Sequence, residues 1–300
     1  MYLQRILVPT DFSGAAERAL EQAMVLARRY EAEVHLLHRP VYGVPELPPP
    51  GIDGKQRGEA LDRILSQYFE DPRRDAEKHL GRLVKRVRES GIAADSTLED
   101  SREPYDAIAQ LAEDWKPDLV CMGSHGREGI EKLLMGSVAE KVLRHLSRQV
   151  LILRDSTAIA GERGSMRVLV PVDFSEHSQR ALGVARELAS DFGGTLHLLH
   201  VVELLHTPFA PGGLTSPFEN EPELRGKLQE ALRGMLGETP GRVTVADGNI
   251  AGQILHEREQ HADEIVVMGS RGRSGLKHLM IGSVAERVAR FCEAPVWVVK

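Results

Sequence analysis

Apolar positions along this chain alternate between two spacings. Short runs of strand length occur at Ile6–Val8, Glu33–His38, Asp95–Leu98, Asp118–Met122 and Val150–Arg154. Between them lie segments with apolar residues three and four apart, at Ala15–Tyr30, Asp75–Ser90 and Tyr105–Trp115, and a helix is predicted to open at Ser137. The same order then returns. Strands are predicted at Val168–Val170, Thr195–Val202, Arg242–Ala246, Glu264–Met268 and Val296–Lys300. Helices are predicted at Ser178–Phe192, Glu223–Leu236 and Ile250–His261, with another opening at Ser283. Strands alternating with helices predict an α/β fold, a doubly wound parallel sheet covered on both faces, built twice in tandem.

The repetition is literal. RILVPTDFS at 5–13 returns as RVLVPVDFS at 167–175, and VHLLH at 34–38 as LHLLH at 196–200, both at an offset of 162. Later in each copy the offset is 146, so the first copy holds 16 extra residues, assigned to the Pro- and Gly-rich stretch Tyr42–Gly51. Such a repeat is domain-sized, and 300 residues suit two domains of ~150. The predicted division is 1–155 and 165–300, joined by a polar linker at 156–164.

Bulk composition narrows the function classes. At 42% apolar and 27% charged the chain reads as globular, and a net charge of −6 does not favour nucleic acid or an anionic membrane. No apolar run nears the ~20 residues that span a bilayer, and the start shows no secretory pattern, so cytoplasm is the expected location. Cys121 and Cys292 occupy non-equivalent positions, each aliphatic in the other copy, and read as buried hydrophobes.

Chemistry concentrates in a glycine motif that also occurs twice. Gly123, Gly126 and Gly136-Ser137 follow the fourth strand of copy one; Gly269, Gly272 and Gly282-Ser283 follow that of copy two. The spacing is G-x2-G-x9-G-S, neither a Walker A loop nor G-x-G-x-x-G. Glycine-rich backbone leading into a helix N-terminus is suited to phosphate. A plainer reading competes, because Ser137…Glu140 and Ser283…Glu286 also spell the S-x-x-E capping box. Capping leaves the three glycines at fixed spacing unexplained. Asp11 and Asp173, just past the first strand, are ligand candidates or turn residues. If the first and fourth strands are neighbours, each Asp and its glycine loop face one crevice. His35 and His38, like His197 and His200, fall on opposite strand faces, which disfavours a shared metal. Arg127 and Arg273 are phosphate partners or solvated loop residues.

The motif, complete in both copies, together with the openings ILVPTDFS and VLVPVDFS and the LLH strand, resembles the universal stress protein family over essentially the whole chain. The resemblance implies five parallel strands per domain in the order 3-2-1-4-5, and a site for ATP, with Mg2+ as a candidate companion. The base end would map to Pro9, Thr10 and Asp11, and to Pro171, Val172 and Asp173, with Val201 lining the pocket of copy two. Ribose and phosphates would map to Met122, Gly123, His125, Gly126 and Arg127, and to Met268, Gly269, Arg271, Gly272 and Arg273. The terminal phosphates would meet Gly136, Ser137 and Val138, and Gly282, Ser283 and Val284. Through the last strands the two domains would pack as an intramolecular pseudo-dimer, with a homodimer of the whole chain as a further option.

The copies differ at the base end. Copy two has Val201 and Gly248; copy one has Arg39-Pro40, and Arg102 at the position aligned with Gly248. Copy two is therefore the more orthodox. Three function classes follow: an ATP-binding regulator of a stress response; a slow ATPase or nucleotidyl- or phosphoryl-transfer enzyme; or a protein that keeps the fold and takes another ligand in copy one. No general base or nucleophile repeats beside the glycine loops, which favours the regulator and leaves catalytic residues unassigned.

Overall fold

The computed structural model describes residues 3–40, 54–100, 102–125, 135–154, 156–157, 160, 165–206, 214–272 and 281–300. The first half contains β1 (Arg5–Pro9), α1 (Gly14–Tyr30), β2 (Glu33–His38), α2 (Gly54–Leu65), a π-helical turn at Ser66–Glu70 and α3 (Asp71–Glu89). It continues with β3 (Ala94–Leu98), α4 (Pro104–Trp115), β4 (Leu119–Gly123), α5 (Ser137–His145) and β5 (Gln149–Leu153). The second half contains β6 (Arg167–Pro171), α6 (Glu176–Asp191), β7 (Thr195–Val202), the two-residue strands β8 (Leu205–His206) and β9 (Leu214–Thr215), α7 (Pro217–Asn220) and α8 (Pro222–Leu236). Then come β10 (Gly241–Asp247), α9 (Ile250–His261), β11 (Ile265–Gly269), α10 (Ser283–Phe291) and β12 (Val296–Val299).

The main strands form one ten-stranded sheet, ordered β10-β7-β6-β11-β12-β5-β4-β1-β2-β3. Within each half this is the expected 3-2-1-4-5 order, with every pairing parallel. The strands are near-continuous aliphatic runs because helices bury both faces. One slab of core lies under α1, α3, α6 and α8; the other lies under α4, α5, α9 and α10. The order reverses between β1 and β4, and between β6 and β11, so a crevice opens beyond the carboxyl ends of each of those pairs.

The halves meet along β5 and β12, which run antiparallel with Leu151 opposite Trp297. Trp297 is fully buried, and its Nε1 donates to Gln149 Oε1 at 2.9 Å. Arg154 Nη1 reaches the Arg290 carbonyl at 2.9 Å, and Lys300 Nζ donates to the Leu143 carbonyl. Each cation thereby meets the carbonyl-rich end of a helix in the other half. Arg144 bridges Glu140 at 3.0 Å and Glu286 at 2.9 Å, while Arg290 bridges Glu286 at 3.3 Å and Glu140 at 3.6 Å.

Three features depart from the sequence expectation. Helix α2 continues through the π turn into α3, and β8, β9 and α7 occupy the corresponding stretch of the second half. The stretch Tyr42–Gly51 lies outside the described residues. The offset between copies is also not a single step. Strand register pairs His35 with Asp95 and His197 with Arg242, an offset of 147 in the third strands, and it becomes 146 only at α4 and α9. By strand register the partner of Gly248 is therefore Ser101, also outside the described residues, rather than Arg102. Gly248 has φ 131°, a region that favours glycine.

Among the described residues, no helix is long and apolar enough to cross a membrane.

Candidate functional site

Each crevice begins at the turn after the first strand. Pro9 and Pro171 end β1 and β6. Thr10 and Val172 are buried, and their N–H groups donate to the Leu37 and Leu199 carbonyls at 2.8 Å. Asp11 Oδ1 then accepts from Ser13 N at 3.1 Å, and Asp173 Oδ1 from Ser175 N at 3.1 Å and Ser175 Oγ at 2.6 Å. Both aspartates therefore make the local turn. Ser13 and Ser175, not the aspartates, cap α1 and α6. Between them Phe12 and Phe174 are left-handed, with φ 63° and 64°, a conformation costly for a bulky residue. Each ring packs on a histidine of the second strand, His38 at 4.2 Å and His200 at 4.9 Å between centroids. Those histidines bind back through Nδ1 to the Thr10 and Val172 carbonyls at 2.7 and 2.6 Å. The Asp-Phe-Ser turn is thus tied to the end of β2 or β7.

The other histidine pair lies on the opposite face and away from the crevice. His35 bonds Thr97 at 2.9 Å and packs against Trp115. His197 is buried between Asp263 at 2.8 Å and Thr244 at 2.9 Å.

The glycines of the motif have different jobs. A Cβ on Gly123 would lie 2.8 Å from the backbone and side chain of Ala15, and one on Gly269 would lie 2.8 Å from the carbonyl carbon of His177. These first glycines let the loop touch the opening turn of α1 or α6. A Cβ on Gly272 would lie 2.7 Å from Asp173 Oδ2, so the second glycine of copy two abuts the aspartate. Aspartate and glycine loop do face one crevice in the second half. Gly126, Arg127 and Arg273 lie outside the described residues.

Gly136 and Gly282 are helix N-caps with ordinary extended backbone, at φ −66° and −82°. Their N–H groups donate to the Ser124 and Ser270 carbonyls at 2.7 and 2.6 Å, tying the start of the helix to the end of the fourth strand. The first rungs of the helices are Glu140 N to Gly136 O and Glu286 N to Gly282 O, both 3.0 Å. The N–H groups of Ser137, Val138 and Ala139, and of Ser283, Val284 and Ala285, precede that ladder. Neither helix has a side-chain cap. The capping-box reading is thereby corrected: the serines are first helical residues, not caps, and the glutamates turn to Arg144 and Arg290 instead.

The side chains of Met122 and Met268 are buried in the core beneath α5 and α10, which leaves only their backbone to face a ligand. His125 Nδ1 sits 2.9 Å from Ser124 Oγ. Arg271 Nε is buried without a hydrogen-bond partner among the described residues. Val201 packs with the same core face as Leu199. Its counterpart Arg39 donates through Nε to the Arg102 carbonyl at 3.2 Å. One crevice residue was missed by sequence reasoning. His177 has Ala15 as its counterpart, so no repeat marked it.

Comparison with known proteins places this architecture. The model of the universal stress protein family matches residues 3–154 and again 164–300. The chain belongs to the universal stress protein family. A universal stress protein of Mycobacterium tuberculosis (strain ATCC 25618 / H37Rv) is 29% identical over 226 residues, covering 72% of this chain and 74% of that protein. One from Methanocaldococcus jannaschii is 28% identical over 151 residues, covering 50% of this chain and 82% of its own length. Among solved structures, a universal stress protein from Archaeoglobus fulgidus DSM 4304 aligns with TM-score 0.66 and 25% identity, covering 99% of this chain and 98% of that one. As in that alignment, universal stress protein architecture here extends across both halves.

Proposed function

We propose that each half is a universal stress protein domain, about 1–155 and 165–300, with an adenine-nucleotide site in its crevice, and that the protein is an ATP-binding regulator rather than an enzyme. The observation that carries this reading is Gly282. Its backbone suits any residue, and among the described residues the nearest atom to an added Cβ, the Ser270 carbonyl oxygen, is 3.5 Å away. The described residues therefore leave room for a side chain. Asn, Asp, Ser or Thr there would cap α10 and add stability. Glycine keeps three first-turn N–H groups open to an incoming anion, the arrangement by which a helix N-terminus holds phosphate.

The remaining residues fit the same ligand. Asp11 and Asp173, with the backbone of Thr10 and Val172, stand at the base end. Gly123, His125 and Gly126, and Gly269, Arg271 and Gly272, line the ribose and phosphate path, with Arg127 and Arg273 assigned there from the motif. Gly136, Ser137 and Val138, and Gly282, Ser283 and Val284, take the outer phosphates. Mg2+ would arrive on the phosphates, held largely by their oxygens and water. The pairing of β5 with β12 supports reading the molecule as an intramolecular pseudo-dimer.

The test is release of nucleotide from the purified protein by denaturation, with identification by mass and measurement of stoichiometry. Adenine nucleotide at one to two per chain supports the reading. Protein that purifies empty and gives no heat on ATP titration overturns it.

A further inference from the structure

The second half gathers cations at the mouth of its crevice that have no full counterpart in the first. His177 is the second residue of α6, and its carbonyl carbon and Cβ lie where a Cβ on Gly269 would come within 2.8 and 2.9 Å. That contact holds His177 against the first glycine of the loop. The charged groups facing the imidazole are Arg180 and Glu176 on α6 itself, Asp173 in the preceding turn and Arg271 in the loop after β11. Arg271 also faces Lys300 beyond β12. Its buried Nε has no acceptor among the described residues, so one guanidinium edge is presented without a partner. In the first half the positions of His177, Arg271 and Lys300 are held by Ala15, His125 and Arg154.

These cations repel one another in the absence of an anion. The imidazole is held below the usual histidine range, first by burial and then by Arg180 and Arg271. Lys300 is pulled down to about 8, first by burial and then by Arg271. A phosphate chain laid beside Arg271 would reverse that repulsion, because a nearby negative charge favours the protonated form.

We propose that His177 is a ligand-facing residue of the second crevice, which joins Arg271 in holding the phosphate chain of a polyanionic nucleotide and does so as the imidazolium, so that this half takes up a proton with its ligand. The inference rests on the nucleotide reading above and adds a residue and a proton to it. A lowered imidazole is neutral in the unliganded protein near neutral pH; the bound polyphosphate raises its affinity for a proton; binding therefore consumes a proton and tightens as pH falls. The first half, with Ala15, lacks this contribution.

The experiment uses the full chain carrying Gly136→Val, so that the second site is read alone. ATP is titrated calorimetrically between about pH 8 and about pH 6, in two buffers of different ionisation heat. The expected result is proton uptake on binding and an affinity that rises by up to about tenfold per pH unit. His177→Gln and His177→Ala are expected to remove the histidine share of the uptake and flatten the profile, with unchanged melting temperature. ATP binding whose proton uptake is the same in His177→Gln as in the parent overturns this inference and leaves the nucleotide reading standing. No heat at any pH overturns both.

Discussion

Alanine placed separately at Gly269 and at Gly282 distinguishes a glycine required by packing from one kept for a ligand. At Gly269 the new Cβ falls 2.8 Å from the His177 carbonyl carbon and 2.9 Å from its oxygen. Ordinary carbon contacts are about 3.5–4.0 Å, and both atoms are backbone, so the first turn of α6 must shift. Overpacking of this kind costs about 1–3 kcal/mol, less about 0.4–1 kcal/mol regained from the stiffer unfolded chain, for a net loss near 1–2 kcal/mol. At Gly282 no atom of the described residues is nearer than 3.5 Å and φ is −82°. The same entropic gain there is offset by about 0.5–1 kcal/mol for a poorer N-cap, so the net is near zero. Trp297 lies on β12 and Trp115 in the first half, so fluorescence of a Trp115→Phe chain reports β12 and its junction with β5. Gly269→Ala is expected to lower its unfolding temperature by about 2–8 °C and Gly282→Ala by less than about 2 °C. ATP titration should show the reverse emphasis, with Gly282→Ala weakening the second site about 10–200-fold by crowding the phosphate. A Gly282→Ala protein that is as destabilised as Gly269→Ala, or that binds ATP like the parent, would refute the division of roles.

Three further outcomes are expected. Gly282→Val should remove the tighter site and Gly136→Val a weaker one, because the first half has Arg39 where the second has Val201; equal affinities in calorimetry would count against the asymmetry. ATP turnover by the purified protein should lie far below ~10 s⁻¹, and a rate near that value abolished by a change in either glycine loop would move the assignment to enzyme. Residues 1–155 and 156–300 expressed separately should associate or precipitate, since each exposes an apolar edge, β5 or β12, that the whole chain pairs; two monomeric halves with no mutual affinity would contradict this.

The strands and the main helices were legible because buried parallel strands and amphipathic helices write different periods into the sequence, here twice. The crevice was legible for a related reason: repeated glycines outside any strand or helix pattern have no packing motive visible in sequence. What stayed hidden was local or unrepeated. Serine at the start of α5 and α10 looked like a cap, yet the adjacent glycine occupies the cap position and the glutamates are drawn away by arginines from both halves. The single-residue slip between β3 and α4 is invisible without strand register, since the flanking offsets differ by so little. Helix α2 was passed over because its copy-two counterpart is not a matching helix. His177 reaches the loop through a fold contact between residues far apart in sequence, and its counterpart is alanine.

The antiparallel joining of β5 to β12 has a directional consequence. Within the ten-stranded sheet every strand of one half runs opposite to every strand of the other, so the carboxyl ends, and with them the two crevices, lie on opposite margins of the shared sheet. The helix dipoles of the halves oppose one another in the same way. A flat partner docked at one margin can sense the occupancy of one crevice only. To read both, it must wrap around the molecule or engage it as two copies, one at each margin. If both crevices take nucleotide as proposed, the chain is two-headed, with two states to report at once to two listeners that never meet.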